Sequence, residues 1–332
     1  MSSTLLRIGI AGCGPAARVH VDRLLAIDGV RVVGCADTDL SAAEALATRL
    51  KSPRDGTACA FSDHKELIQR QTPDALAIFS PHPSHYRAAM DALQADCHVF
   101  IEKPLSTNPQ EAVDITGLAR GRGRKVGVGH HYRLSPGLIE ARRLLAVGAI
   151  GSVRLITATL AQPWLFVHQD QEHAWHFDAN VPGGGVMADS GCQLLDALLW
   201  TTGQPATEAA AFQNRLDAGT DLVTAAVIRL ADGCVATVAI SGVSPGFLYE
   251  LNYLGETGRM RVTDRTLELE TPTSPLSLCP LPESTESIDG NFVAAVVGGH
   301  PLCCPAEDAL ASVKLLEAIT RSTATGQIVR LA

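Results

Sequence analysis

Along the first 130 residues, short apolar runs alternate with stretches of helical spacing. Runs ending at Ala11, and at 30–36, 58–61, 75–80, 97–101 and 125–129, are short, apolar and rich in β-branched residues, so they read as strands. Between them, the residues after Pro15 and those at 40–50, 63–70, 86–95 and 109–120 carry the i, i+3, i+4 spacing of helices, with a polar loop at 51–57 and Ser84 placed to cap the helix at 86–95. Six strands alternating with helices predict a doubly wound parallel sheet, a Rossmann arrangement, over 1–130. Ligands of such sheets lie beyond the carboxyl ends of the strands. That rule selects Pro81, His82, His85, Glu102, Lys103, Pro104, His130, His131 and Arg133 as site candidates.

From 131 to 332 the pattern changes. Segments at 152–161, 206–214, 221–230, 233–241, 247–254 and 259–263 are strand-like, with tight turns at 231–233 and 255–258. They predict a mostly antiparallel open sheet in an α+β domain. Arg154, Arg229 and Glu250 are the exceptions in strands that otherwise carry few charges, so both faces are expected to be covered, one by helices and one by a second subunit. A homodimer or homotetramer through this sheet follows. A last amphipathic helix at about 306–321 follows Pro305 and is free to pack back on the first domain.

Composition supports two globular domains: 332 residues, 46% hydrophobic and 19% charged. With 27 basic against 35 acidic residues the net charge is −8, and the basic residues are scattered apart from the turn at 120–125. Nucleic acid is therefore not an expected partner. Nine cysteines without a C-x-x-C pair suit a reducing cytoplasm. No signal-peptide pattern opens the chain, and no apolar run approaches the ~18 residues of a membrane span.

The chemistry starts at the end of the first strand. Gly12, Cys13, Gly14, Pro15, Ala16 and Ala17 form strand, glycine turn and helix start. Gly12 permits the turn, Gly14 lets a diphosphate approach the backbone, and Ala17 allows close helix–strand packing. Pro15 suits the first helical turn, whose amides would hold the anion. Asp37, at the end of the second strand, can accept the ribose hydroxyls and repel a 2'-phosphate, which favours NAD and leaves NADP open. Its other reading is a helix cap, shared with Asp39 and Ser41. Further on, Gly183, Gly184 and Gly185 free the chain to bend closely before a helix running to about Trp200, on which Asp189, Gln193 and Asp196 fall at i, i+4 and i+7. His82 with His85, or His173 with His176 beside Asp170 and Glu172, supply only two nitrogens each, so no metal site is expected. Cys192 reads as a small apolar filler.

Taken together, the glycine turn, Asp37, SPHPSHYRAAM, VFIEKPL, HHYRLSP and GGGVMADSG followed by LLD resemble the Gfo/Idh/MocA family of oxidoreductases, in the same order along nearly the whole chain. The resemblance implies NAD(P)-dependent hydride transfer at a carbinol carbon of a sugar, polyol or cyclitol. Gly12, Gly14, Pro15, Ala16, Asp37, Pro81, His85, Glu102 and Lys103 would meet the dinucleotide. Lys103 matches the family's catalytic lysine, and Asp189 its aspartate on the second-domain helix. The family's Asp-x-Gly-x-His pattern is broken, because Gln193 stands where the histidine belongs. An amide holds a hydroxyl but does not take its proton. Lys103, His131, or His173 and His176 are the candidates to replace it. If none does, the chain is a dinucleotide-binding sensor, or a glycosidase that oxidises transiently with retained NAD.

Overall fold

The computed structural model describes residues 5–50, 58–168, 171–283 and 286–331, without the side chains of 171–173. The loop expected at 51–57 and the side chains of Asp170, Glu172 and His173 thus lie outside the described residues. Two compact units emerge, Met1–His130 with Glu286–Ala309, and His131–Thr285 with Leu310–Ala332.

In the first unit, β1 (Leu6–Ala11), α1 (Pro15–Leu25), β2 (Val30–Ala36), α2 (Leu40–Arg49), β3 (Cys59–Phe61), α3 (His64–Gln71), β4 (Ala75–Ile78), α4 (His85–Gln94), β5 (His98–Ile101), α5 (Pro109–Arg122) and β6 (Val126–Val128) follow one another. The strands lie in the order β3-β2-β1-β4-β5-β6, all parallel. Ile8, Ile10, Leu76, Ile78, Val99 and Ile101 are fully buried, as expected where helices cover both faces of a parallel sheet. Side chains of Asp39, Asp63 and Asn108 cap α2, α3 and α5. Ser84 departs from expectation. It precedes α4 without capping it, because its hydroxyl donates instead to the Pro81 carbonyl at 2.6 Å.

The second unit adds α6 (Pro136–Ala146), β7 (Val153–Ala161), the short α7 (Trp164–Val167), α8 (Cys192–Thr202), β8 (Ala206–Asn214), β9 (Val223–Leu230), β10 (Val235–Ser241), β11 (Leu248–Gly255), β12 (Arg259–Thr263), β13 (Leu267–Thr271) and β14 (Ser274–Leu278). The chain then forms α9 (Ile288–Gly298), which belongs to the first unit, before α10 (Ala306–Thr325) and β15 (Val329–Arg330) close it. The nine-stranded sheet runs β14-β13-β12-β11-β7-β10-β9-β8-β15. Only the β7–β10 pairing is parallel. Its inner face, with Ile156, Ala226, Ile228, Val238, Ile240, Leu251 and Tyr253, shares one core with Leu194, Leu195 and Leu198 of α8 and with Leu315 and Ile319 of α10.

The outward face carries more charge than the sequence suggested. Arg229 pairs with Glu208 at 2.9 Å and Arg261 with Glu250 at 2.6 Å, while Arg259 meets Glu270. Beside these pairs Phe212 is 84% exposed, with Val227, Leu155 and Leu254 also open to solvent. Among the described residues, no helix is long and apolar enough to cross a membrane.

Candidate functional site

The glycine turn fits a dinucleotide. Gly12 has φ +91°, and a Cβ there would stand 2.3 Å from the Ser80 amide nitrogen, so only glycine lets β1 and the end of β4 approach this closely. A Cβ on Gly14 would meet nothing within 4 Å, which leaves open space over the start of α1. Gly14 is the N-cap of that helix, Pro15 opens it, and no side chain caps it. Its first amides and the positive end of its dipole are thus available to a diphosphate. Asp37 reaches the same turn: one oxygen accepts from the Cys13 amide at 2.8 Å and the other from the Asp39 amide at 2.9 Å. Each oxygen retains a second lone pair for a ribose hydroxyl.

Beyond β5, Glu102, Lys103 and Pro104 form a turn with a cis Lys103–Pro104 bond. Lys103 is half-buried. His85 holds this turn rather than presenting a ring nitrogen outward: it is fully buried, with Nδ1 2.8 Å from the Pro104 carbonyl and Nε2 2.8 Å from the Ser80 carbonyl. Burial lowers its pKa. The same contacts remove it from any metal pair with His82, whose ring lies edge-on at 5.6 Å. Pro81 and His82 occupy the turn after β4, and His130 is buried at the end of β6.

Sequence reasoning missed a charged cluster behind this turn. His20, on α1, has Nδ1 2.7 Å from Asp289 of α9 and Nε2 3.0 Å from Glu102. Burial opposes its charge, but the hydrogen bonds that the ring donates to Asp289 and Glu102 prevail and raise its pKa to about 9. No local signal marks the pair, because 269 positions separate His20 from Asp289.

In the second unit, the glycine run is shaped by the protein itself. Gly185, at φ +89°, backs onto Asp221, and a Cβ on Gly184 would collide with the His176 carbonyl at 2.6 Å. Asp221 accepts from the Met187 amide at 3.0 Å; burial raises its pKa. The regular spacing expected of Asp189, Gln193 and Asp196 is interrupted, since Met187–Gly191 forms a π turn before α8. Three different partners result. Asp189 accepts from the Trp164 indole at 2.7 Å. Gln193 meets His131, Nε2 to Nδ1, at 2.9 Å. Asp196 takes Arg133 in a two-point bond of 2.8 and 2.7 Å. His131 is exposed, in the turn His131–Leu134 that follows β6. His176 is buried, with its ring stacked on Trp175 at 3.7 Å. Cys192 is buried as expected of a filler, its thiol 3.1 Å from the Asp189 carbonyl.

Comparison with known proteins bears on the family and the fold. Residues 6–130 match the family model described as oxidoreductase family, NAD-binding Rossmann fold, and 138–261 match the GFO/IDH/MocA C-terminal domain. The D-glucoside 3-dehydrogenase of Escherichia coli is 29% identical over 63% of this chain and 57% of its own length. The chain thus spans little more than half of that relative. The inositol 2-dehydrogenase of Acidothermus cellulolyticus is 29% identical over 76% of this chain and 71% of its own. Among solved structures, the WlbA dehydrogenase of Bordetella pertussis, in complex with NADH and UDP-GlcNAcA, superposes with a TM-score of 0.81 at 21% identity, covering 98% of this chain and 99% of that one.

Proposed function

Since the chain belongs to the Gfo/Idh/MocA family of NAD-binding oxidoreductases, we propose that it moves hydride between NAD(H) and a carbinol carbon of a sugar, polyol or cyclitol, with Lys103 and His131 handling the hydroxyl proton. Its resemblance to glucoside and inositol dehydrogenases supports that substrate class. Bound at the Gly12–Gly14 turn, the cofactor supplies the hydride acceptor or donor.

The observation that carries this reading is the 2.9 Å contact between Gln193 Nε2 and His131 Nδ1. Gln193 occupies the family's histidine position, yet its amide ends on an imidazole brought from the turn after β6. The acid/base group has moved to another segment, and the amide now orients it. With the amide nitrogen donating, Nδ1 accepts and the neutral ring keeps its proton on Nε2, where it holds a substrate oxygen by a hydrogen bond. Protonating a carbonyl oxygen during reduction takes the imidazolium, whose Nδ1–H needs the amide turned to present Oε1. With the amide turned so that Oε1 accepts from Nδ1–H, Nε2 becomes the lone pair that takes a hydroxyl proton during oxidation. Lys103 stabilises the developing alkoxide with its charge. Asp189, the aspartate of the family pattern, is held in place by the Trp164 indole at 2.7 Å. Pro81 and Glu102 shape the cofactor side.

We further assign the outward face of the second sheet to a second copy of the chain, on the strength of its exposed Phe212, Val227, Leu155 and Leu254. Nine cysteines without a C-x-x-C pair suit the cytoplasm.

The test is nicotinamide absorbance with a panel of sugars, sugar acids and cyclitols. Turnover should fall by about 10²–10⁴ in Lys103→Ala and in His131→Asn. Full activity in His131→Asn would sink the relocated-histidine reading. Release of sugar without net reduction, from protein that copurifies with NAD, would replace it with the retained-cofactor glycosidase.

A further inference from the structure

Helix α1 does two things at once. Its first turn presents the amides for the diphosphate, and midway along it sends His20 into the first unit's interior. There His20 stacks on Phe79, with ring centroids 4.6 Å apart, and lies 5.5 Å from Phe100. Its two nitrogens meet carboxylates from two other elements, Asp289 on α9 and Glu102 after β5. Asp289 is approached in turn by Arg23, one helical turn further along α1, at 3.6 Å. The second oxygen of Glu102 accepts from the backbone amide of Lys103 at 3.0 Å. Space for that carboxylate is reserved, since a Cβ on Gly129 would stand 2.6 Å from Glu102 Oε1. The charges facing His20 are therefore Glu102 and Asp289, with Arg23 behind the latter. They alternate from α1 to the lysine turn.

We infer that His20 is a positioning residue for Lys103: as a buried cation shared by Asp289 and Glu102, it locks the carboxylate that fixes the Lys103 backbone. One rigid helix then sets both where the dinucleotide sits and where the lysine amine stands. A displacement of about 1 Å between such groups is enough to lower a rate about a hundredfold. The catalytic meaning rests on the role proposed for Lys103, but the link itself is testable without substrate.

The experiment is competitive acetylation of the lysines read by mass spectrometry, with Lys65, Lys125 and Lys314 as internal standards, run beside NADH binding and kinetics. In His20→Gln, Lys103 labelling should change by about fivefold or more relative to the standards, and kcat should fall by about tenfold with NADH affinity held within about threefold. Glu102→Gln should change Lys103 labelling likewise, and the double variant should add nothing further to that change. Asp289→Asn keeps an oxygen for the His20 ring but removes its charge. If His20→Gln does not fold, Asp289→Asn decides. The His20 ring pKa, followed by NMR, should drop by about one unit or more, together with a change in Lys103 labelling. Labelling unchanged within about twofold, despite a lower ring pKa or melting temperature, would reduce the cluster to a structural ion pair and overturn the proposal. Absence of turnover on every substrate would count against the proposed function alone, because the labelling arm still reports.

Discussion

Each unit buries one cation against carboxylates, and the two solutions differ. In the second unit, the planar Arg133 guanidinium meets Asp196 through two parallel bonds, with both side chains 3% exposed, and Trp200 packs against the arginine at 5.7 Å. In the first, a histidine is shared between two carboxylates of different elements. Arginine stays charged at any pH a protein survives, so the Arg133–Asp196 pair is permanent. Histidine titrates, so the His20 arrangement holds only while the ring keeps its proton. One is a pin, the other a clasp that pH can open.

The largest effect should come from breaking the pin. Asp196→Ala strands a buried guanidinium and should destabilise the second unit by about 3–5 kcal/mol, read as a drop in the denaturant midpoint. The clasp should reveal itself through pH. A folded pKa of about 9 lies above the unfolded value near 6.5, so its stabilisation is complete below about 6.5 and is lost as pH rises to about 9. Integrated over that window it is on the order of 3 kcal/mol. Chemical denaturation at pH 6 and at pH 9.5 should show this loss in the wild type and a smaller one in Asp289→Asn. An equal loss in both would mean that other groups dominate. The smallest effect should follow from Ser287→Ala. Ser287 accepts from the Gly290 amide at 3.0 Å at the head of α9, and losing that cap should cost about 1 kcal/mol. The loss should be felt by the first unit and leave the Arg133–Asp196 pair untouched.

The same contrast separates what the sequence revealed from what it hid. The parallel sheet was legible because each strand is a short apolar run closed by a turn, and the glycine turn with Asp37 was legible because its parts are local. Lys103 and Gln193 stood out through a resemblance, and the contact of Gln193 with His131 could not be read from spacing, since 62 positions separate them. Helix α9 escaped for a different reason. Its run from Phe292 to Val297 is apolar on every side, which gives no period to detect. Helix α6 and strands β13, β14 and β15 were also missed; β14 is exposed throughout, and β15 is two residues long. The π turn at Met187–Gly191 has no recognisable sequence pattern, so an even helical wheel was expected where the chain widens.

That the first unit recruits Glu286–Ala309 also matters while the chain is being made. On the ribosome, residues 1–130 emerge with both His20 and Glu102 present, but Asp289 follows only after nearly the whole second unit has been synthesised. The Cys304 carbonyl that receives the Val128 amide at 2.9 Å arrives later still. A nascent chain must therefore carry an unfinished nucleotide-binding unit through most of its translation, and a fragment cut at His130 would stay in that unfinished state for good.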